Sequence, residues 1–468
     1  MKPVCIKNGW VVLPNAVVKA DIYLQEGKIN RISVIGDGAV SADTESASFD
    51  ANHQLIDTSD TSFNANHQMI DAREKNFKAD HQIIDDRDAY FNVNHSMTDA
   101  AGKTRDAKHS ILSTASNDEN FTVIDARGRY VLPGLVDIHN DAIEKEVQPR
   151  PNTLFPLEMS LLEFERKLPL HGITTMYHSL SLGVGLSLRG DHLLTEMVEL
   201  INRYRAKRSI IRNRIHLRYE ISHLKGLHIV SQYIEENKID YLSFMDHSPG
   251  QGQYRKEGSF ERYVMKNQGM ELTEAQALVV DLMERRKQID WEQLRQLGHQ
   301  ALQQGISLAS HDDDSSQRVD IFKSYGISVN EFPINLETAQ YATEQGLAVC
   351  IGAPNIVRGV SHDQNLRAID AIASGAASII CSDYHSSSLL QSVFKLADEK
   401  IAALPAAVRM ATLHPAQACG IEDEVGSIEL GKAADLIIVQ RYKGHPWVTH
   451  TLVGGKTVYT ADTHYQAD

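Results

Sequence analysis

The sequence predicts an α/β protein built around a (β/α)8 barrel of the TIM type. Three observations carry this prediction: short turn-rich runs at both ends of the chain, a motif that recurs every 14 residues near the N-terminus, and eight apolar runs that alternate with amphipathic stretches. We assign residues 1–43, 121–132 and 422–468 to a small β-sandwich domain, 44–120 to a β-repeat insert and 133–421 to the barrel.

The two ends of the chain have the pattern of a small antiparallel sheet. The N-terminal stretches "VCIKNGWVVLP", "ADIYLQEG" and "KINRISVIG" are short β-like runs separated by Gly and Pro-Asn. The C-terminal stretches "GSIELGKAADLIIVQ" and "VTHTLVGGKTVYT" have the same character. We therefore expect the end of the chain to return and complete the N-terminal sheet.

Residues 44–120 contain a repeat with a step of 14 residues. Phenylalanines mark the step at Phe49, Phe63, Phe77 and Phe91, and histidines at His53, His67, His81, His95 and His109. Apolar and polar residues alternate within each copy, which predicts strands of about eight residues joined by polar turns. A row of metal-binding histidines is one interpretation. A duplicated strand–turn unit that extends the small sheet, or a poorly ordered insert, is the other.

The barrel is predicted from eight β-like runs. They are "LPGLVDI", "GITTMYH", "RIHLRYEI", "YLSFMDH", "ISLASHD", "SVNEFPI", "AVCIGAPN" and "ASIICSDYH". Helical stretches between them favour parallel β/α units, and eight such units indicate a barrel whose chemistry lies at the C-terminal ends of the strands. Polar residues collect at those ends: His139, Asp141, His178, Glu220, Asp246, His247, His311, Glu331, Asn355 and Asp383.

Composition narrows the class of protein. The chain has 468 residues, a hydrophobic fraction of 42% and a formal net charge of −14, which disfavours nucleic-acid binding. Its four cysteines are scattered, and neither a secretory signal nor a long apolar run is evident. We therefore expect a cytoplasmic protein that acts on a small molecule and has no membrane partner. A homo-oligomer is left open.

A metal site is the chemistry that the strand-end residues predict together. His139, Asp141, His247, His311 and Asp383 follow four different strands, and imidazole and carboxylate ligands suit Zn²⁺, Mn²⁺ or Fe²⁺. Each taken alone is more often a hydrogen-bonded structural residue or a helix cap.

The number of metals decides which further residues are needed. Two metals require roughly five or six ligands with one bridge. Glu220 is the best candidate for the bridging carboxylate, and His178 and His223 compete for a ligand place. A salt bridge from Glu220 to Arg218 is the structural alternative. The predicted reaction is hydrolysis by water that one or two divalent cations, most readily Zn²⁺ or Mn²⁺, have made acidic. Asp383 would accept the proton of that water.

The strand-end motifs resemble the amidohydrolase superfamily. The resemblance rests on "GRYVLPGLVDIHND", "GITT", His247, His311, Asp383 and "LHPAQACGIEDEVGSIELGKAADLIIV". More narrowly, "HNDAIEKEVQPRPN", "SFMDHSPGQGQYR", "LASHDDDS", "NEFPINLETAQ", "GAPNIVRGVSH" and "CSDYHSSSLLQ" resemble the α-D-ribose 1-methylphosphonate 5-triphosphate diphosphatase family of the carbon–phosphorus lyase pathway. In that family the first strand also ends His-x-Asp. The chain departs from the family pattern mainly in the repeat insert.

The resemblance implies hydrolysis of the ribosyl triphosphate to the 5-phosphate with release of pyrophosphate. Such a substrate is strongly anionic, so cations are expected around it. Lys145, Arg150, Arg255 and Arg358 lie in loops that follow the first, fourth and seventh strands, and arginine forks suit phosphate and phosphonate oxygens. Ser386 could donate a hydrogen bond to phosphate, or cap the next helix. For each cation, a solvated or salt-bridged surface position is the alternative.

Two other functions are compatible with parts of the pattern. Another amidohydrolase that cuts a C–N bond, as a deaminase or deacylase, would share the metal ligands without needing the arginine-bearing loops. A catalytically silent barrel that serves as a binding or assembly module would be expected to have lost ligands, whereas all the expected ligand types are present.

Overall fold

The computed structural model describes residues 2–40, 97–98, 104–105, 121–150, 153–183, 191–361 and 365–461. The chain divides into two compact units, residues 1–43 with 120–468 and residues 44–119. The predicted repeat strands and the histidine row of the second unit lie outside the described residues, apart from two short strands that pair antiparallel, Met97–Thr98 and Thr104–Arg105. The boundary predicted between the barrel and the small β domain stays a prediction.

The structure has the following elements. The strands are β1 Val4–Val12, β2 Val17–Gln25, β3 Lys28–Val40, β4 Met97–Thr98, β5 Thr104–Arg105, β6 Thr122–Asp125, β7 Tyr130–Pro133, β8 Leu135–Asn140, β9 Ile173–Leu182, β10 Arg212–Glu220, β11 Tyr241–Met245, β12 Ser307–His311, β13 Val329–Glu331, β14 Ala348–Gly352, β15 Ile379–Cys381, β16 Leu436–Tyr442, β17 His445–Val453 and β18 Lys456–Thr460. The helices are α1 Ile143–Val147, α2 Leu157–Lys167, α3 Asp191–Lys207, α4 Gly226–Glu235, α5 Ser259–Gln268, α6 Leu272–Lys287, α7 Trp291–Gln303, α8 Ser316–Lys323, α9 Leu336–Glu344, α10 Ala353–Arg358, α11 Ala368–Ala373, α12 Ser388–Asp398, α13 Leu404–Met410 and α14 Leu413–Ala418, with 3₁₀ turns at Pro169–His171 and Gly252–Tyr254.

The eight predicted apolar runs are the eight strands of the barrel. Strands β8 to β15 pair side by side in chain order, and all seven pairings are parallel. A single bridge between Asn140 and Asp383 joins the last strand to the first. The strands are apolar on both faces because one face packs on the helices and the other fills the barrel. The predicted (β/α)8 class is confirmed.

Alternation along the strands separates the two apolar layers. Leu135 and Ile215 belong to the core between strands and helices, whereas Val136, Tyr177 and Tyr241 belong to a separate cluster within the barrel. Because side chains alternate along a strand, a residue that follows an inward-facing one by two also faces inward. This rule places His311, two residues after Ala309, at the barrel mouth, whereas His139 lies at a register irregularity of β8 between Asp137 and Asn140.

Strands β1–β3, the segment β6–β7 just before the barrel, and the C-terminal strands β16–β18 form a second sheet. Its order is β18-β17-β16-β7-β1-β2-β3, with β6 also paired to β1. This is the separate sheet predicted from both termini, and it forms one hydrogen-bonded array. Its buried side chains, including Ile6, Ile22, Ile438 and Leu452, form an apolar cluster of their own. None of the described helices is long and apolar enough to cross a membrane.

Candidate metal and substrate site

The predicted site residues meet at the C-terminal mouth of the barrel. His139 lies in β8, Glu220 and His311 end β10 and β12, and Asp383 follows β15. His139, Asp141, His311 and Asp383 line one cleft of about 570 Å³, within the size range of small-molecule sites. The barrel therefore collects at one mouth residues that are far apart in sequence.

Three residues at this mouth have left-handed backbone conformations. Asp312, Phe332 and Asp383 have φ angles of 58°, 53° and 58°. Each amide donates to a carbonyl of a neighbouring strand at 2.9–3.0 Å, which holds the chain in this conformation. Such conformations cost about 1–3 kcal/mol each and concentrate at functional sites. These bonds fix the chain direction where the site side chains leave the barrel.

One group of potential ligand atoms comprises His247, His311 and Asp312. Asp312 Oδ2 lies 3.4 Å from His247 Nε2 and 3.2 Å from His311 Nδ1, and each of the three residues offers one ligand atom within 4.8 Å of those of the other two. The atoms Asp312 Oδ2, His247 Nε2 and His311 Nδ1 are buried and lack a partner with hydrogen-bond geometry. Unpaired buried polar atoms cost about 1–3 kcal/mol each, so their convergence fits a bound divalent cation.

Glu220 lies behind His247 in this group. Its carboxylate is 3.0 Å from His247 Nδ1 and accepts the His247 backbone N–H at 3.1 Å. This contact orients the imidazole so that Nε2 faces Asp312, the usual arrangement for a metal-binding histidine. The bridging role predicted for Glu220 stays a prediction, and the observed contact gives it an orienting role.

The electrostatics of the group describe its metal-free form. Burial lowers the pKa of His247, but the close carboxylates of Asp312 and Glu220 outweigh it and raise the pKa to about 9. Burial raises the pKa of Asp312, yet the neighbouring His311 and His247 hold it well below its usual range. A proton on His247 thus supplies positive charge where a cation would otherwise supply it.

A second group, His139, His216 and Glu331, lies deeper in the barrel. His139 Nδ1 is 3.0 Å from Glu331 Oε1, which also accepts the Tyr241 hydroxyl at 3.2 Å. Both ring nitrogens of His216 contact serine hydroxyls, at 3.0 and 2.8 Å. His216 is therefore satisfied without a metal. Burial lowers the pKa of His139 well below its usual value, which keeps the ring neutral, as a metal ligand must be.

Arg218 is a functional candidate that the sequence analysis considered only as a partner for Glu220. Its side chain is buried and lines the cleft, with Nη1 3.5 Å from Asp141 Oδ2 and Nη2 3.2 Å from His311 Nε2. The signal for it was available, because Arg218 and His216 precede the inward-facing Glu220 by two and four residues in β10. Asp312, the second residue missed, is one of three consecutive aspartates that the sequence does not distinguish.

Asp383 lies beside Asp141 at the closing seam of the barrel. Burial, and next the negative charge of Asp141, raise the pKa of Asp383 to about 8. The Asp141 backbone N–H donates to the Asp383 carbonyl at 3.0 Å, so the two residues are held together. A carboxyl with a pKa near neutrality is suited to exchanging protons with water.

Five predicted substrate-binding residues occupy different places. Lys145 and Arg358 line the cleft, and neither has an ion-pair partner among the described residues. Arg150 and Arg255 are exposed and are not part of the cleft lining, although Gln253 in the loop of Arg255 is. Ser386 is buried outside the lining and accepts a hydrogen bond from the Asn140 side chain at 3.1 Å.

The two alternative histidine ligands lie apart from both groups. His178 faces the helix layer, where its ring packs 5.7 Å from Phe164 and its Nε2 is 2.8 Å from Asn213 Oδ1. Burial lowers its pKa to about 4. His223 is buried and is a member of neither group. The structure thus gives Glu220, rather than these histidines, the place next to His247.

Comparisons with known proteins agree with this fold. Residues 306–458 match the amidohydrolase family. The chain is 33% identical over 344 residues to the α-D-ribose 1-methylphosphonate 5-triphosphate diphosphatase of Escherichia coli K12, covering 72% of this chain and 90% of that protein.

Solved structures show the same architecture at low identity. N-acetylglucosamine-6-phosphate deacetylase from Pasteurella multocida has a TM-score of 0.54 and 11% identity, over 97% of this chain and 99% of that chain. N-isopropylammelide isopropylaminohydrolase from Burkholderia multivorans has a TM-score of 0.53 and 13% identity, over 98% of both chains. The chain therefore belongs to the amidohydrolase superfamily, in the family of the α-D-ribose 1-methylphosphonate 5-triphosphate diphosphatase.

Proposed function

We propose that this superfamily hydrolase converts α-D-ribose 1-methylphosphonate 5-triphosphate to the 5-phosphate and pyrophosphate, with one or two divalent cations. The observation that carries the proposal is the combination, in one cleft, of cation-ligand atoms with Lys145, Arg218 and Arg358. An enzyme that cuts a C–N bond in an uncharged substrate would need the ligands but would leave the three cations without anionic groups to bind. The similarity to the diphosphatase supports the same substrate class.

The residues that would hold the cation follow from the unpaired atoms. His247, His311 and Asp312 fit one ion, and His139, Asp141 and Asp383 complete the ligand set at the same mouth. A bound Zn²⁺ or Mn²⁺ makes water acidic enough to act as a nucleophile near neutral pH and offsets phosphate charge. The mixture of imidazole and carboxylate groups suits either metal.

The side chains have separate tasks in the reaction. Water adds to phosphorus as the P–O bond between the α and β phosphates breaks, and the bridging oxygen leaves with one of the two products. Asp383 accepts the proton that the attacking water loses. Lys145 and Arg358 bind non-bridging phosphate oxygens, and Arg218 offsets the charge that grows on the reacting phosphoryl group.

Phosphorus NMR of the metal-loaded protein tests this proposal. With the ribosyl triphosphate as substrate, we expect equal amounts of the 5-phosphate and pyrophosphate to form at enzymatic rates. Tyr442→Phe, on the exposed surface of the terminal sheet, controls for expression and purification of a variant and should have wild-type activity. No phosphorus product, together with ammonia or carboxylate release from a panel of C–N substrates, would establish the alternative amidohydrolase function instead.

A further inference from the structure

The connection between β11 and β12 contains an additional helical hairpin. Residues 246–306 form α5 and α6 before α7, which packs on β12 as the crossover helix of that unit. Tyr254, Phe260, Val264, Ala275 and Leu282 of this connection form an apolar cluster separate from the barrel core. We call residues 248–287 the cap hairpin. A cluster of its own allows the cap hairpin to hold a shape independent of the barrel layers.

The cap hairpin presents two neutral polar side chains to the cleft. Gln253 and Tyr263 line it, whereas the other lining residues come from strand ends, loops and the short helices α1 and α10 of the barrel. Tyr254 links this surface to the metal-ligand group. Its ring lies 5.5 Å from the Tyr263 ring and 6.0 Å from the His247 ring, in tilted and edge contacts respectively. The position of the cap hairpin is thus defined relative to His247.

A buried carboxylate anchors the cap hairpin to the barrel. Asp246, directly before His247, accepts hydrogen bonds from Arg286 of α6 at 3.0 Å and from Arg318 of α8 at 3.4 Å. The same two arginines donate to Gln251 at 3.0 and 3.4 Å. Charge-assisted bonds of this kind are directional and strong. The anchor joins the end of β11, the cap hairpin and α8, which follows β12, in one cluster.

We infer that the cap hairpin determines substrate specificity: Gln253 and Tyr263 bind the sugar hydroxyls, and the Asp246–Arg286–Arg318 cluster positions them. This rests on the proposed function, which makes the substrate a ribosyl triphosphate. The anionic groups are matched by Lys145 and Arg358. A neutral amide and a phenol, which both donate and accept hydrogen bonds, match neutral hydroxyls instead. A site built to bind a hydroxyl discriminates strongly against ligands that lack it.

Steady-state kinetics with the ribosyl triphosphate, paired with pyrophosphate binding, tests the role of Gln253 and Tyr263. In Tyr263→Phe and Gln253→Leu we expect KM to rise about three- to tenfold, as for loss of a neutral hydrogen bond, with kcat within about twofold. The Kd of pyrophosphate, which lacks the sugar, should stay unchanged. Tyr442→Phe removes a hydroxyl from an exposed tyrosine of the terminal sheet and should change neither constant.

The outcomes separate this inference from the proposed function. No turnover by the metal-loaded wild-type protein would refute the proposed function, and this inference with it. Normal wild-type turnover, with KM unchanged in both variants or with pyrophosphate binding weakened as much as KM, would refute the inference alone.

The anchor has a matched pair of neighbouring arginines for its own test. Arg285 makes a surface pair with Asp281 at 2.8 Å, whereas Arg286 bonds Asp246. Arg286→Gln should raise KM by about three- to tenfold and speed amide hydrogen exchange across α5 and α6, while Arg285→Gln should do neither. The metal content should stay at the wild-type value in both variants. Equal effects of the two substitutions would overturn the anchoring role.

Discussion

Asp383→Asn tests the electrostatics of the site with the least change in shape. Asn has nearly the size of Asp and tolerates the left-handed conformation that Asp383 adopts, with φ 58°. The substitution removes the titratable carboxyl and leaves the backbone N–H of residue 383 able to donate to the His139 carbonyl, at 3.0 Å in the native chain. Any change in the pH dependence of stability can therefore be assigned to the carboxyl group.

The sign of the effect follows from the raised pKa. The pKa of Asp383 in the metal-free folded protein is about 8, against an ordinary value of 3.8 in the unfolded chain. Between pH 5 and 7 the folded carboxyl is protonated and the unfolded one is ionised, so unfolding releases a proton. The free energy of unfolding then falls as pH rises, by about 1.4 kcal/mol per pH unit. Over two units we expect about 2 kcal/mol, slightly below the full one-proton value because the cleft admits some water.

The assay compares wild type and Asp383→Asn after metal removal. Denaturant unfolding of each protein is measured at pH 5, 6 and 7, and the difference between the two removes the contributions of other titrating groups. From pH 5 to pH 7 the free energy of unfolding of the variant should rise by about 2 kcal/mol relative to wild type, since only wild type loses the Asp383 proton on unfolding. Curves that stay parallel within about 0.5 kcal/mol would refute the raised pKa.

Unfolding at saturating metal tests whether the cation binds next to Asp383. A divalent cation beside Asp383 stabilises the carboxylate and lowers its pKa, so the difference in pH slope should disappear when Zn²⁺ or Mn²⁺ is added. Turnover by Asp383→Asn should nevertheless fall by about a thousandfold or more, because the proton acceptor is gone. Near wild-type turnover would remove Asp383 from that role.

Three further perturbations address other parts of the site. His311→Ala should lower the metal bound per chain, measured by elemental analysis after gel filtration, because one of three converging ligand atoms is lost; full occupancy would contradict the ligand assignment. Arg218→Gln should reduce kcat about a hundredfold at unchanged metal content, as for loss of one preorganised charge-stabilising donor, and a normal kcat would exclude that role. Deletion of residues 44–119, by joining residue 43 to residue 120, should leave kcat within about twofold, because all the site residues lie in the unit that remains. A change in the number of chains per particle, calculated from the solution mass, would show that the insert serves assembly.

The barrel was predictable because its signal is repeated in every strand. Each run is apolar on both faces, and the polar residue that ends it lies where parallel strands place functional groups. His139, His311 and Asp383 therefore needed no tertiary information to be selected. The bridge between Asn140 and Asp383, which closes the barrel, shows in addition that His139 and Asp383 lie next to each other where the first and last strands meet.

Partnerships within the site were harder to predict because they depend on turns. Asp312 contacts His311 because its own backbone is left-handed. The sequence "HDDD" gives no reason to choose the first of its three aspartates as the ligand. Arg150 and Arg255 were chosen as cations in loops after strands, but the direction of a loop is not encoded by its charge. Arg218, by contrast, could have been found from strand alternation alone.

The aspartate in "VDIHND" can now be explained by its partner. Asp141 lies 3.5 Å from Arg218, so a histidine at this position would leave the arginine without a carboxylate. Lys145 and Arg358 line the same cleft with Asp312 and Asp383, and the raised pKa of Asp383 keeps that carboxyl protonated near neutral pH while no metal is bound. A divalent cation would displace the Asp383 proton and place two positive charges beside the bound triphosphate. Metal binding and binding of the triphosphate should therefore strengthen one another, since each supplies the charge that the other needs.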